Sequence, residues 1–193
     1  MIVLMENGLW NEEANMIIYT DGAATMKCID GEYTRENGGW AWAAIDDNDN
    51  LIKADFGGES NTTNNRMELM AILNALRTFK KDLTIYSDSA YCVNMLKPGG
   101  WIYSWERNGW TRGKKHEPIE NLEIIKEIWQ YLNNNIEFIK VKGHACGDDW
   151  NAFVDKLAVE GKNHNYAKTL NTFDNEEIKE KTIEYFLNTI RRG

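Results

Sequence analysis

Cysteine, proline and positive charge are all scarce in this chain, and each shortage excludes something. Its three cysteines, Cys28, Cys92 and Cys146, are far apart and form no CxxC pair. An odd, widely spaced set excludes a disulfide framework and fits reduced thiols in an intracellular, cytoplasmic protein. Two prolines against eight tryptophans leave no compositional case for disorder. No apolar run is long enough to span a membrane. The opening MIVLM run is too short for a signal-peptide core and meets Glu6 at once. Lysine and arginine total 22 against 30 acidic residues, a net charge of −8. That balance excludes a general polyanion coat, so any phosphate-binding surface must gather its cations locally.

What remains is enough for a folded core, with 42% hydrophobic residues in 193. The length suits one domain with short flanking segments: a lead of residues 1–15, a domain over 16–160, and an extension over 161–193 that carries a helix. Met16 to Thr20 reads as a strand ending at Asp21. Gly39–Ile45 and Leu51–Phe56 alternate around the turn-rich Asp46-Asp47-Asn48-Asp49-Asn50 and read as a hairpin. Between the first strand and this hairpin, Asp21 to Gly38 reads as a long loop. Thr62 or Thr63 can cap a helix striped by Leu69, Ile72, Leu73, Leu76 and Phe79. Leu83 and Ile85 lead into a strand ending at Asp88. Helices follow from Ser89 to Met95 and from Leu122 to Leu132, then a strand over Ile136–Val141 and a short helix over Asn151–Val159. The order implies an α/β fold with a mixed sheet. The early strands form an antiparallel meander, and the first pairs in parallel with the strand ending at Asp88. Adjacent carboxyl ends of parallel strands are where such sheets place ligands, which brings Asp21 and Asp88 together.

Four acidic residues stand in well-marked contexts: Asp21 in IIYTDGA, Glu68 in TTNNRMEL, Asp88 in TIYSDSAY and Asp155 in WNAFVDKLA. Singly, each has a plain structural reading as a turn, a helix-surface charge, a helix cap or a solvated helix residue. Jointly they imply a metal site, because clustered carboxylates repel one another unless cations hold them. Oxygen ligands without a cysteine set favour magnesium or manganese over zinc, and two such ions can clamp the attacking and leaving oxygens of a phosphodiester.

The order YTDG, TTNNRMEL, YSDSAY, VKGHA and NAFVDKLA, from Met16 to Glu160, resembles type 1 ribonuclease H. The resemblance implies the ribonuclease H-like fold, a five-stranded mixed sheet with helices on both faces. It also implies an endoribonuclease that cuts the RNA strand of RNA–DNA hybrids with two Mg2+ ions, Mn2+ as substitute, leaving 5′-phosphate and 3′-hydroxyl ends. On this reading Asp21 bridges the two ions, Glu68 and Asp88 support the ion near the leaving oxygen, and Asp155 helps hold the ion that activates water. His144 occupies the place of the family's mobile histidine, with one more residue than usual before the final aspartate.

The resemblance extends to substrate contacts. Asn64 and Asn65 match asparagines that read the minor groove, where A-form-like hybrids expose 2′-hydroxyls. Thr63 and Asn121 match residues that seat a DNA phosphate. The segment WIYSWERNGWTRGKKHEP resembles a basic protrusion, with Trp101, Trp105 and Trp110 interleaved with Arg107, Arg112, Lys114 and Lys115. Aromatic faces and cations of this kind suit sugars and phosphates, while Trp101 and Trp105, four apart, also suit packing. The long first loop departs from the family and lacks its Asn-Pro-Gly turn; Asn37 is a candidate replacement contact there. In the extension, Asp174 and Glu177 resemble a capping box with Phe173 and Ile178 as its staple, ahead of a stripe of Ile183, Phe186, Leu187 and Ile190. That stripe packs on its own domain or takes a protein partner or second copy; a monomer is the expectation. Two rival functions are a resolvase-like nuclease of the same fold, against which TTNNRMEL and the protrusion speak, and a non-catalytic hybrid-binding module. An intact acidic quartet speaks against the module, because uncompensated carboxylates are costly to keep.

Overall fold

The structure, a computed structural model, describes residues 16–79, 82–132, 135–142, 149–163 and 176–190. Five strands form one mixed sheet in the order β3-β2-β1-β4-β5: β1 (Met16–Ile29), β2 (Glu32–Ile45), β3 (Leu51–Glu59), β4 (Leu83–Ser87) and β5 (Ile136–Lys140). β1, β2 and β3 are the antiparallel meander, and β1–β4 and β4–β5 pair in parallel. The last β1–β4 pair is Thr20↔Ser87, so Asp21 and Asp88 are the next residues beyond it on neighbouring strands.

Helices cover both faces. α1 (Asn64–Thr78), α2 (Ala90–Leu96), α3 (Trp101–Arg107) and α4 (Leu122–Trp129) share one core with Ile18, Trp42, Leu83 and Ile85. Leu69, Ile72, Leu73 and Leu76 bury the stripe of α1, and Phe79 packs against it half-buried. α5 (Asp149–Asn163) and α6 (Glu176–Ile190) cover the other face, where Ala41, Ala43, Phe56, Phe153, Val154 and Leu157 are buried together. Ile183 of α6 is buried in this second core, and Phe186 and Leu187 pack against it. Lys179 adds a 2.6 Å ion pair to Asp55 of β3. Ile183, Phe186 and Leu187 of the α6 stripe thus pack on the chain's own sheet and α5; the side chain of Ile190 lies outside the described residues. No described helix is long and apolar enough to cross a membrane.

Two expectations are corrected. α5 runs 15 residues rather than the nine of Asn151–Val159, because small residues let it lie flat on the sheet. A Cβ on Gly39 would sit 2.0 Å from the Ala158 carbonyl, and one on Gly161 would sit 2.2 Å from the Gly57 carbonyl. More important, Asp21 to Gly38 is no loop. β1 continues through Asp21 to Ile29 and β2 begins at Glu32, making a two-stranded arm that outruns the sheet. Asp30 (φ 53°) and Gly31 (φ 85°) form its turn, the left-handed pair that closes a tight hairpin. A bulge at its base sets Glu36 and Asn37 opposite Thr25 alone, between Ala24↔Gly38 and Met26↔Arg35.

Candidate active site

Three carboxylates converge where the β1–β4 pairing ends, with Asp21 inside β1 and Asp88 just past β4. Asp21, Glu68 and Asp88 each offer an oxygen within 4.8 Å of the others. The approach of α1 to β1 depends on Gly22, where a Cβ would lie 2.3 Å from the Glu68 backbone nitrogen. Any side chain there would push α1, and Glu68 with it, away from Asp21. Thr63 caps α1, its hydroxyl accepting from the Arg66 N–H at 3.3 Å. Ser89 caps α2 just after Asp88, accepting from the Cys92 N–H.

The electrostatics are strained. The Asp21 carboxyl is pushed up to about 8, by burial first and then by Asp88 and Asp155, while the Gly22 N–H donating to it at 2.8 Å pulls the other way. Glu68 is held well above the usual carboxylate range by burial, with Asp21 and Asp88 adding to the effect. Asp155, on α5, faces Asp21 closely enough to contribute both charge and a side-chain hydrogen bond to its shift. The fourth carboxylate therefore borders the triad from the opposite face of the sheet. Burial pushes the Cys92 thiol beneath the site upward, and the charge of Glu68 adds to this.

A divalent cation fits this arrangement on the structure's own terms. Glu68 Oε2 is buried with no hydrogen-bond partner among the described residues. Its Oε1 receives only a 3.4 Å contact from the Asn64 amide. Buried oxygens left so poorly satisfied, beside two more carboxylates, are costly unless a cation completes them. An all-oxygen donor set suits a hard ion such as magnesium or manganese.

The remaining predicted residues fall into three groups. Asn64 and Asn65 are exposed on the first turn of α1, and Asn64 Oδ1 also accepts from the Ala24 N–H at 3.1 Å. Thr63 and Asn121 are linked through Arg66, which lies within TTNNRMEL but has no role in the motif-based expectations. Arg66 donates to Glu59 at 2.8 Å and to Asn121 Oδ1 at 3.3 Å, and it also holds Glu123. Its position in the capped turn of α1, between the asparagines and Glu68, was the available signal. Asn121 itself sits at φ 56° ahead of α4.

The protrusion is split between packing and exposure. Ile102 is buried in the first core, Trp105 and Trp110 pack against it, and Trp101 stays 47% exposed. Trp110 meets Trp129 edge-on, with Lys126 over its ring at 5.5 Å. Arg107, Arg112, Lys114 and Lys115 are all exposed. The stripe is less purely cationic than its sequence implied, because Glu117 returns across the turn to face Arg112. The two exchange backbone hydrogen bonds of 2.9 Å, and their side chains lie 3.6 Å apart. His144, Asp148, Phe173 and Asp174 lie outside the described residues, as does the side chain of Ile178.

Comparison with known proteins agrees with this geometry. The RNase H family model matches residues 13–163. A ribonuclease H of Syntrophomonas wolfei subsp. wolfei is 40% identical over 147 residues, covering 74% of this chain and 92% of the relative. Among solved structures, LC9-RNase H1, described as a type 1 RNase H with the type 2 active-site motif, superposes with a TM-score of 0.64 at 26% identity. That match covers 79% of this chain and 74% of that one. A foamy viral protease-reverse transcriptase in complex with RNA/DNA hybrid has a TM-score of 0.65 at 18% identity, a likeness of fold alone. The match covers 78% of this chain, which spans only 20% of that one. With the motifs, the sheet order and the carboxylate triad in place, this chain belongs to the type 1 ribonuclease H family and is a nuclease of the hydrolase class.

Proposed function

We propose that the chain hydrolyses the RNA strand of RNA–DNA hybrids, leaving 5′-phosphate and 3′-hydroxyl ends, with two Mg2+ ions held by Asp21, Glu68, Asp88 and Asp155. The observation that carries this reading is the convergence of buried Asp21 and Glu68 with half-buried Asp88 beyond the β1–β4 pairing, with an unpartnered Glu68 oxygen among them, in a chain of this family. Bound divalent ions there supply activation of the attacking water and neutralisation of charge on the leaving oxygen. The chain's own contribution is placement. Asp21, on the central strand between Glu68 and Asp155, is the residue suited to bridge two ions. Asn64 and Asn65, exposed one turn before Glu68, would meet 2′-hydroxyls in the shallow groove of a hybrid. Thr63 and Asn121 would seat a phosphate of the DNA strand, and Arg66, which ties them together, positions that pair. Trp101, Arg107, Arg112, Lys114 and Lys115 would track the DNA backbone, with Trp105 supporting Trp101 at a ring distance of 6.3 Å. His144 is assigned the supporting role of moving a proton or easing product release, tasks that suit an imidazole near neutral pH.

The test is cleavage of an end-labelled RNA–DNA hybrid. We expect cuts confined to the RNA strand in magnesium or manganese and none in excess chelator. Undiminished cutting in chelator, or equal cutting of double-stranded DNA, would overturn the reading. His144→Ala should slow turnover without abolishing it, and by less than Asp21→Asn does.

A further inference from the structure

The arm formed by β1 and β2 beyond the sheet has no task in the function above. We propose that it extends the nucleic-acid surface, laying a face made by Met26, Tyr33 and Arg35 against the RNA–DNA hybrid beside the carboxylate site. This rests on the proposed substrate.

The pleat fixes which side of the arm this face is on. Successive strand residues point to opposite sides of a sheet, and directly paired residues share a side. The Cβ direction of Gly22 runs into the backbone of Met67 and Glu68, so the even-numbered residues of β1 face α1. Met26 and Cys28 continue that series, and their partners across the ribbon are Arg35 and Tyr33. This face therefore looks to the side of the sheet that carries α1, with Asn64 and Asn65 at its start. The base of the arm is fastened to that same helix start. Asn64 Oδ1 accepts from the Ala24 N–H at 3.1 Å, and the Thr62 N–H donates to the Glu36 carbonyl at 3.1 Å. The arm is thus continuous with the site along one strand, three residues beyond Asp21.

Its chemistry fits a nucleic acid better than another protein. Tyr33 is 71% and Met26 57% exposed, and Arg35 is exposed with no partner given by any hydrogen bond or ion pair among the described residues. The acids of the arm lie elsewhere. Glu36 is paired to Lys27 at 2.7 Å in the bulge, Glu32 pairs across from Ile29 on the other side, and Asp30 is in the turn. An aromatic ring, a soft thioether and one free guanidinium make a surface for sugars, a base face and a phosphate. In a chain of net charge −8, a face cleared of carboxylates is one a polyanion can approach. From Ala24 to Ile29 the arm reaches about 17 Å at the usual rise per strand residue, so only hybrids extending past the cut site on that side would meet it.

The experiment measures steady-state cleavage of RNA–DNA hybrids of graded length by the full chain and by Tyr33→Ser, Arg35→Ser and the double variant. Both residues are exposed, so folding should be unaffected. Glu32→Gln, on the opposite face, serves as the control. We expect the double variant to raise KM for long hybrids about five-fold or more, the scale of losing one stacked contact. kcat should be unchanged, hybrids too short to reach the arm should show no effect, and the control should behave as the parent. An unchanged KM on long hybrids would overturn the proposal. So would a concentration-dependent dimer of the parent that the double variant abolishes while hybrid cleavage stays the same, since the face would then belong to a second copy. Failure of the parent to cut any hybrid would remove the proposed function itself and is read separately, from the parent alone.

Discussion

At the scale of single residues, the site is governed by the cost of keeping Asp21 ionised. Its carboxyl, raised to about 8 by burial and by Asp88 and Asp155, binds a proton more readily in the folded chain than in the unfolded one. In the ion-free protein this contribution to stability is fully present below the unfolded carboxylate range near about 4. It is lost as pH rises through the folded value near 8. Glu68, raised in the same direction, adds to the slope. Asp21→Asn removes the charge without changing the shape, so in chelator at mildly alkaline pH it should melt several degrees above the parent. The conversion is about 2–4 °C per kcal/mol for a chain of this size. Magnesium should raise the parent's melting temperature more than the variant's. Thermal melts across pH, with and without magnesium, check both statements; superimposable curves for parent and variant would mean that Asp21 is solvated rather than confined. The same variant should lose nearly all hydrolytic activity while still binding hybrid, because the contacts proposed for binding are Asn64, Asn65, Thr63 and the protrusion, none of which it changes. Activity within a few-fold of the parent would remove Asp21 from the bridging role.

At the scale of elements, the site exists because α1 can lie almost in contact with β1. Gly22→Ala puts a methyl group 2.3 Å from the Glu68 nitrogen, against backbone that cannot rotate away. We expect a loss of about 1–3 kcal/mol from overpacking and, with Glu68 displaced from Asp21, a fall in kcat larger than any change in KM. Denaturant melts and steady-state kinetics measure the two effects; full activity in a well-folded variant would show that the helix tolerates displacement. This scale is also where the sequence was most and least legible. The β1–β4 pairing could be read because short β-branched runs end at Asp21 and Asp88, and parallel strands place such ends side by side. The stripe of α1 was legible because its period matches one buried helical face. The arm was not, because its apolar alternation is short, Ala24, Met26 and Cys28 alone, and the fold leaves those side chains half-buried or exposed rather than in a core. Their one strong signal was local, the Asp30-Gly31 pair that favours a two-residue turn. α5 outran its expected length because its packing face uses glycine, whose part in close approach leaves no mark in a hydrophobic pattern. Arg66 was overlooked because a cation on a capped first turn reads as surface, and only the fold brings Glu59, Asn121 and Glu123 around it.

For the whole molecule, the controlling quantity is a net charge of −8 on a protein that must hold a polyanion. Binding strength must come from a local field, and the exposed turn carrying Arg112, Lys114 and Lys115, with Arg107 at the end of α3, is its source in our reading. Arg112 is partly neutralised by Glu117, which leaves Lys114 and Lys115 as the principal free cations of the turn. Each phosphate neutralised on duplex DNA contributes a log–log salt slope of roughly −0.9 through counterion release. Removing two lysines should therefore flatten the salt dependence of KM by up to about two such increments and raise KM at low salt. kcat should hardly change, because these side chains contribute equally to ground-state and transition-state binding. Lys114→Ala with Lys115→Ala, assayed on a hybrid over a range of potassium chloride concentrations, measures all three quantities. A solvated turn with no role in binding predicts no change in any of them. A fall in kcat with KM and salt slope unaltered would place the electrostatic anchor elsewhere on the molecule. The expected pattern would show that an acidic nuclease, of net charge −8, draws the main salt-dependent part of its hold on the substrate from one small basic turn.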